Sequence, residues 1–280
     1  MAGELTLQEI QKISLEVLKQ FDKVCREQGF RYCLAYGTLI GAIRHEGFIP
    51  WDDDVDVWMP RKDFEAFKRF CLRNEEKMWP NKLCCRENTQ NYTYYIPRFC
   101  NQEYQYVSLN GKHKNPDLGV FIDIYPLDNY GESKEKGIKL AKKISKINRK
   151  YAAYVDPRSD AGGLRNFVKH CIHYFMRFIY GKSYCLKTEK KIRLLLNKYT
   201  NKNDKMTGVP AWEPEGYFIR YPKKLFSEYI ECRFEGNMFF IPKGYDEILR
   251  KNYGNYMELP PEEERKPSHN YKIYERQAVI

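Results

Sequence analysis

Asp54 and Asp56 alternate with Val55 and Val57 in the stretch Trp51-Asp52-Asp53-Asp54-Val55-Asp56-Val57. Residues two apart on an extended chain project to the same side, so the two carboxylates face together while the valines face a core. Two ionised carboxylates held that close repel one another unless a cation lies between them. A hard divalent ion with oxygen ligands meets that need. Magnesium takes one or two carboxylates together with substrate phosphates, and manganese is the alternative. The plainer reading, a solvated acidic turn, is opposed by the valine alternation and by the neighbouring Pro50 and Trp51.

Asp123 stands in Val120-Phe121-Ile122-Asp123-Ile124-Tyr125, a nearly continuous apolar run. A lone carboxylate there is costly to bury without a partner. The cost is explained if a neighbouring strand brings it beside Asp54 and Asp56, where it completes the metal site or takes the proton of an attacking hydroxyl. The alternative is an Asp at a strand edge facing water. Gly37-Thr38 follows a strand and opens a helix, and backbone amides at such a start, approached closely over a glycine, make a phosphate seat. Arg44, Arg98 and Arg265 are candidates to neutralise phosphate, and His269 either meets a nucleotide or caps the tail. Asp52 and Asp53 read as outer support of the metal or as plain acidic loop.

The elements that must position these groups follow from periodicity. Thr6 with Glu9 forms a capping box, and Ile10, Val17, Leu18, Phe21, Val24 and Cys25 recur at helical spacing before Gly29, which predicts a helix over 7–28. A strand over 31–36, a short helix over 39–44 and a loop over 45–51 come next. The Asp54–Asp56 strand is expected to end at Pro60. A helix over 63–73 then carries Phe64, Phe67 and Phe70 on one face. Further strands are expected over 94–101 and over 119–125, the latter stopping before Pro126. Three basic helical segments follow over 134–154, 164–180 and 186–199. The remainder holds short strands near 217–221 and 238–241, a helix near 246–253 and a tail rich in Pro and Glu. This order predicts an α/β (α+β) fold, a mixed sheet flanked by helices with an additional basic helical module. The expected division is a catalytic core over 1–130, the module over 131–215, and a C-terminal segment over 216–280 that completes the catalytic unit.

Charge is unevenly placed. Residues 134–205 carry 20 Lys and Arg against 5 Asp and Glu, an excess of +15 in a chain whose net charge is +11, so the rest sums to −4. That concentration argues for an anionic partner at one segment. The aromatics Phe167, Tyr174, Phe175, Phe178 and Tyr180 lie inside it. They either dip into the headgroup layer of an anionic membrane or form the packing core of a helical subdomain. No stretch approaches the ~18 apolar residues of a membrane span. Nine cysteines without a CxxC pair, and no apolar leader at the N-terminus, point to free thiols in a reducing cytoplasm.

Tyr36-Gly37-Thr38-Leu39-Ile40-Gly41-Ala42-Ile43-Arg44-His45 and Ile49-Pro50-Trp51-Asp52-Asp53-Asp54-Val55-Asp56 resemble the LicD family. That family belongs to the polymerase-beta-like nucleotidyltransferase superfamily and includes fukutin and fukutin-related protein. The superfamily pattern of Gly-Ser or Gly-Thr, Asp-x-Asp and a later lone Asp falls on Gly37, Thr38, Asp54, Asp56 and Asp123. The resemblance extends to Phe121-Ile122-Asp123-Ile124-Tyr125-Pro126-Leu127-Asp128. It also covers Tyr253-Gly254-Asn255-Tyr256-Met257, with Leu259-Pro260-Pro261, Arg265 and His269. Between about 130 and 215 nothing matches specifically. Trp58 stands where a small residue commonly follows the Asp-x-Asp strand, which bears on the shape of the substrate pocket.

The resemblance implies transfer of a phosphoalcohol, phosphocholine first among them, from a CDP-linked donor to a sugar hydroxyl of a cell-surface glycan, releasing CMP. The acceptor is then a glycan, lipid-linked if assembled at the inner face of the membrane, where the basic module would make peripheral contact. Two alternatives stay open. One is a nucleotidyltransferase acting on a sugar phosphate or phosphoalcohol with release of pyrophosphate. The other is a non-catalytic nucleic-acid- or membrane-binding protein built on the basic segment. A pure binder has no use for three carboxylates placed to hold metal, so nucleic acid is the less favoured partner.

Overall fold

Helix α1 (Leu7–Gln28) starts where the capping box places it. Thr6 Oγ1 accepts from the Glu9 N–H at 3.3 Å, and Glu9 Oε2 accepts from the Thr6 N–H at 2.7 Å. An N-cap of this kind contributes about 1 kcal/mol. Gly29 closes the helix at φ 70°, a left-handed conformation open to glycine without steric cost. The computed structural model describes residues 3–109, 116–131, 133–155, 168, 171–172, 174–175, 178–181, 183–200, 203–212, 218–267 and 269–276.

A mixed sheet lies against α1. Its strands β1 (Cys33–Leu34), β2 (Asp56–Pro60), β3 (Asn81–Cys84), β4 (Arg98–Asn101) and β6 (Val120–Asn129) run in the order β1-β2-β6-β4-β3. β7 (Met206–Gly208) pairs with the end of β6, and β8 (Tyr221–Pro222) pairs with β7. The β2–β6 pairing is parallel and the others are antiparallel. Alternation divides the sheet into two faces. Val57, Phe99, Ile122 and Ile124 turn toward α1 and α3 (Arg61–Arg73), where Phe21, Phe67 and Phe99 pack with ring centroids 5.1–6.2 Å apart. Asp56, Trp58, Arg98, Asp123 and Tyr125 share the other face by register.

Several boundaries differ from the sequence expectation. Helix α2 (Tyr36–Arg44) begins three residues early, and the strand before it shrinks to two residues. The Ala35 N–H donates to Asp56 O while Ala35 O accepts from the Leu39 N–H, so the chain turns directly from sheet into helix. Tyr36 takes up that turn at φ 44°, a region a bulky residue enters only when its surroundings hold it there. Asp54 lies just ahead of β2 rather than inside it. β6 runs through Pro126 instead of stopping before it. The Asp123 N–H points to β2 and the Ile124 N–H to the β4 side, so residue 126 also faces the β4 side. There β4 has already ended at its pairing with 123 and β7 begins only at 128, so the donor that proline lacks has no acceptor opposite.

C-terminal elements pack back on this frame. β9 (Tyr229–Phe234) and β10 (Asn237–Pro242) form a hairpin. α6 (Tyr245–Tyr253) follows it, and β11 (Tyr271–Glu275) pairs with β5 (Tyr104–Ser108). Helices α4 (Lys134–Val155) and α5 (Ser183–Tyr199) meet around Leu140, Ile144 and Ile192, a small cluster apart from the main core. Between them positions 168, 171–172, 174–175 and 178–180 are helical, and Tyr174, Phe175 and Phe178 are exposed. Phe167 lies outside the described residues. All nine cysteines are free thiols, and no helix among the described residues is long and apolar enough to cross a membrane.

Candidate active site

Asp56 opens β2 and has Asp123 as its direct parallel partner on β6. Asp54 precedes them by one alternation, and one carboxylate oxygen from each of the three lies within 4.8 Å of the others. Asp56 and Asp123 are buried. Burial, followed by the charges of Asp54 and Asp123, pushes the Asp56 carboxyl well above the usual carboxylate range. Burial raises Asp54 to about 6, and His269 opposes the shift. Asp56 Oδ1 is buried without a hydrogen-bond partner. A buried oxygen left bare beside two further carboxylates fits a divalent cation, which would satisfy the oxygen and relieve the repulsion.

Asp123 and Asp54 have side-chain partners, whereas Asp56 is held through its backbone N–H. Arg98 is Asp123's antiparallel partner on β4, and its Nε donates to Asp123 Oδ1 at 2.7 Å. The guanidinium lies over the Phe121 and Tyr94 rings at 3.9 and 4.3 Å. The Thr38 hydroxyl accepts from the Asp56 N–H at 2.9 Å and so ties α2 to the start of β2. His269 Nδ1 sits 2.7 Å from Asp53 Oδ1, and its Nε2 is 3.5 Å from Asp54 Oδ2. The hydrogen bond to Asp53, with the charges of Asp54 and Asp53, raises the imidazole to about 9 against the cost of burial. The neighbouring Tyr271 hydroxyl donates to Asp53 O at 2.6 Å, so the C-terminal strand clasps the acidic loop.

Of these groups Asp54, Asp56 and His269 line a cavity of about 410 Å³. Gly37 and Asp52 line it as well, together with an aromatic group of Tyr36, Tyr125, Trp212, Tyr221 and Tyr253. Tyr36, Tyr125 and Trp212 form a mutually packed triangle, with centroids 4.9–5.9 Å apart. Trp58 backs the wall, 4.8 Å from Tyr36. Asn252 contributes a buried Nδ2 with no partner. A Cβ on residue 37 would stand 2.7 Å from Asp52 Oδ2, so glycine is what lets Asp52 approach the start of α2. Burial and Asp54 push the Asp52 carboxyl up to about 8. A larger cavity, about 590 Å³, lies past the other ends of β2 and β6, but its Asp128 is paired bidentately by Arg61 at 2.7 and 2.8 Å.

The structure thus gathers Asp54, Asp56, Asp123, Gly37, Thr38, Arg98 and His269, while Arg44 and Arg265 sit off the cavity. Arg44 Nη1 donates to the carbonyls of Tyr256 and Glu258 and staples α2 to the C-terminal loop. Arg265 donates to Pro260 O beside Trp51. Thr38 and Arg98, expected to meet phosphate, hydrogen-bond to Asp56 and Asp123.

The model of the LicD/FKTN/FKRP nucleotidyltransferase domain matches residues 29–159, which contain all three carboxylates. The lipopolysaccharide cholinephosphotransferase LicD of Haemophilus influenzae is 31% identical over 272 residues, covering 97% of this chain and 98% of that protein. The chain belongs to the LicD family. An uncharacterized protein of Rickettsia typhi is 25% identical over 118 residues, covering 42% of this chain and 35% of its own. The LicD relative extends over the basic segment as well, where the sequence offered no specific motif. Membership makes the chain a LicD-family transferase with a mixed α/β nucleotidyltransferase-like fold.

In the sequence Asp52 reads only as outer support of the metal or as loop, and Asn252 and the particular residues of the aromatic wall carry no signal. Asp52 stood in the acidic run beside better-patterned neighbours. The wall is assembled from residues 36, 125, 212, 221 and 253, so no local spacing marks it.

Proposed function

We propose that this LicD-family chain transfers phosphocholine from CDP-choline to a sugar hydroxyl of a cell-surface glycan, releasing CMP. The observation that carries the reading is that a single cavity joins a carboxylate floor to an aromatic wall. A CDP-alcohol donor has a pyrophosphate for the floor. Choline adds a quaternary ammonium, the cation that aromatic faces take up through their negative ring potential. The name of the Haemophilus influenzae relative, a lipopolysaccharide cholinephosphotransferase, supports the same donor and suggests lipopolysaccharide as the acceptor class.

Asp54, Asp56 and Asp123 would hold magnesium, which when bound neutralises pyrophosphate charge and eases departure of CMP. Gly37 at the start of α2 lines the cavity, where the helix's first backbone amides seat a phosphate oxygen, and Asn252 Nδ2 is a further donor on the cavity wall. Asp52 lines the cavity but stands outside the three-carboxylate group; with a cation offsetting the Asp54 charge that, after burial, raises its pKa, it is the residue that takes the proton of the acceptor hydroxyl. The sugar oxygen bonds to the phosphocholine phosphorus as the bond from that phosphorus to the CMP oxygen breaks. His269 acts through Asp53 and Asp54, fixing the loop that carries the ligands.

The test is a panel of CDP-linked choline, ribitol, glycerol and ethanolamine, scored for CMP with magnesium and a glycan acceptor. CMP release selective for choline is the expected result. Pyrophosphate as product, from a nucleoside triphosphate and a phosphoalcohol, would establish the nucleotidyltransferase reading in its place.

A further inference from the structure

Val168, Ile172, Tyr174, Phe175, Phe178 and Ile179 are each 47–90% exposed, Phe178 the most. Large apolar side chains exposed singly need no explanation, but six within twelve residues make a contiguous patch of the kind that marks a contact surface. Helical spacing sets Val168, Ile172, Phe175 and Ile179 in one line, with Phe178 at its flank, and the described positions of this stretch are helical. Lys169, His170, His173 and Arg177 occupy intervening positions of the sequence, so the pattern is amphipathic and basic. The small cluster that joins α4 to α5 is built from Leu140, Ile144, Ile192 and Ala211, and it draws on none of the described residues of this stretch.

Charge decides among possible occupants. The patch lies within residues 134–205, whose excess is +15 while the remainder of the chain sums to −4. A second copy of the chain would bring like charge against like charge. A nucleic acid would use the cations but would leave an aliphatic line of Val168, Ile172 and Ile179 in water. A bilayer surface bearing anionic headgroups uses both, taking the apolar side chains into the acyl boundary while the cations stay at the phosphates. We propose that the exposed apolar side chains of Val168, Ile172, Phe175, Phe178 and Ile179 dock this protein on an anionic membrane surface, their helical positions lying in the plane of the membrane. It stands on the patch and the charge distribution and does not depend on the identity of the transferred group.

The experiment uses the full chain and co-sedimentation with vesicles of phosphatidylcholine alone or with about 30% phosphatidylglycerol, at ~0.1 M and ~0.5 M salt. Bound fraction is expected to be at least about tenfold higher on the anionic vesicles at low salt, and to fall at high salt. Phe178→Glu and Phe175→Glu, at exposed positions, are each expected to reduce that binding about tenfold or more. Their far-ultraviolet circular dichroism and CMP release with a soluble acceptor are expected to stay at the parent level. A Phe178→Trp variant gives a second readout, an indole emission that shifts to the blue on anionic vesicles relative to the parent. Equal binding to neutral vesicles, no binding to either, retention of binding by both Glu variants, or a Phe178→Trp emission that does not move would each overturn the proposal. So would a stable dimer dispersed by the Glu variants, or binding to oligonucleotide in place of vesicles.

Discussion

Asp56 and Asp123 face each other across the parallel β2–β6 pairing, and only Asp123 has a cation, Arg98, on its other side. Like charge thus meets like charge on one flank of β6 and opposite charge on the other. Arg98 keeps Asp123 tolerable in an apolar strand, whereas Asp56 depends on what enters the site. Asp56→Asn is therefore expected to lower CMP release at least about 100-fold, because both charge stabilisation and orientation of the pyrophosphate go with the ion. Without metal the same variant is expected to melt no lower than the parent, since repulsion with Asp54 and Asp123 is relieved. Activity assays with a magnesium titration and thermal melts in chelator check both halves. Near-parental activity would remove Asp56 from the site.

Stability of the metal-free protein is expected to fall as pH rises. Asp52 and Asp54 move from an ordinary 3.8 to about 8 and about 6 in the fold, so between roughly pH 4 and pH 8 the native state binds more protons than the unfolded chain. The protonated carboxyls stabilise the fold below that window, and the contribution is lost as pH climbs through it. Magnesium competes with those protons and binds the native state, so its stabilising effect is expected to be larger at pH 8 than at pH 5. Melting temperatures at both values, with chelator and with magnesium, measure this. A metal-free protein whose stability rises from pH 5 to pH 8 would contradict the raised carboxyls.

How much of this was readable in the chain depends on whether the cause was local. The α1 caps, the Asp-x-Asp alternation and the anomaly of a charge at Asp123 are local signals, and each corresponds to an observed feature. Register is not local. Nothing near Arg98 says that it falls opposite Asp123, and nothing near Thr38 says that its hydroxyl will be taken by the Asp56 N–H. Pro126 misled for the same reason, because a proline ends a strand only where a neighbour requires its N–H. The aromatics at 174, 175 and 178 have the spacing of a packed helix, yet spacing alone does not tell a core from a surface.

Gly37 and Asp52 form a coupled pair. Adding one methyl group in Gly37→Ala brings a carbon to within 2.7 Å of Asp52 Oδ2 and must displace that carboxylate. A shift of about 1 Å in a reacting group is enough for a loss of about 100-fold in kcat. Asp52→Asn, which removes the proton acceptor, is expected to cost on the order of 100-fold or more. The double variant should then be little worse than either single one, since both act on the same carboxylate. Magnesium-induced shifts in melting temperature should survive in all three, because Asp54, Asp56 and Asp123 remain. Fully additive losses would place Gly37 and Asp52 in separate roles.

Trp212 and Tyr253 are the half-exposed members of the aromatic wall, 40% and 45% accessible, and so are the faces a ligand reaches first. A cation over an aromatic face is worth about 0.5–2 kcal/mol, which converts to about 2- to 30-fold in affinity. Trp212→Ala and Tyr253→Ala are each expected to raise KM for CDP-choline within that range, while Trp212→Phe restores most of it. A neutral donor such as CDP-glycerol has no ammonium to lose, so its KM should change little and the preference for choline should narrow. This contrast separates recognition from damage, because a collapsed wall would penalise both donors alike. Since Trp212 also packs on Tyr125 at 5.1 Å, melting temperature is followed in the same variants. A parallel rise in KM for the charged and the neutral donor would assign the wall to structure and leave the ammonium without its site.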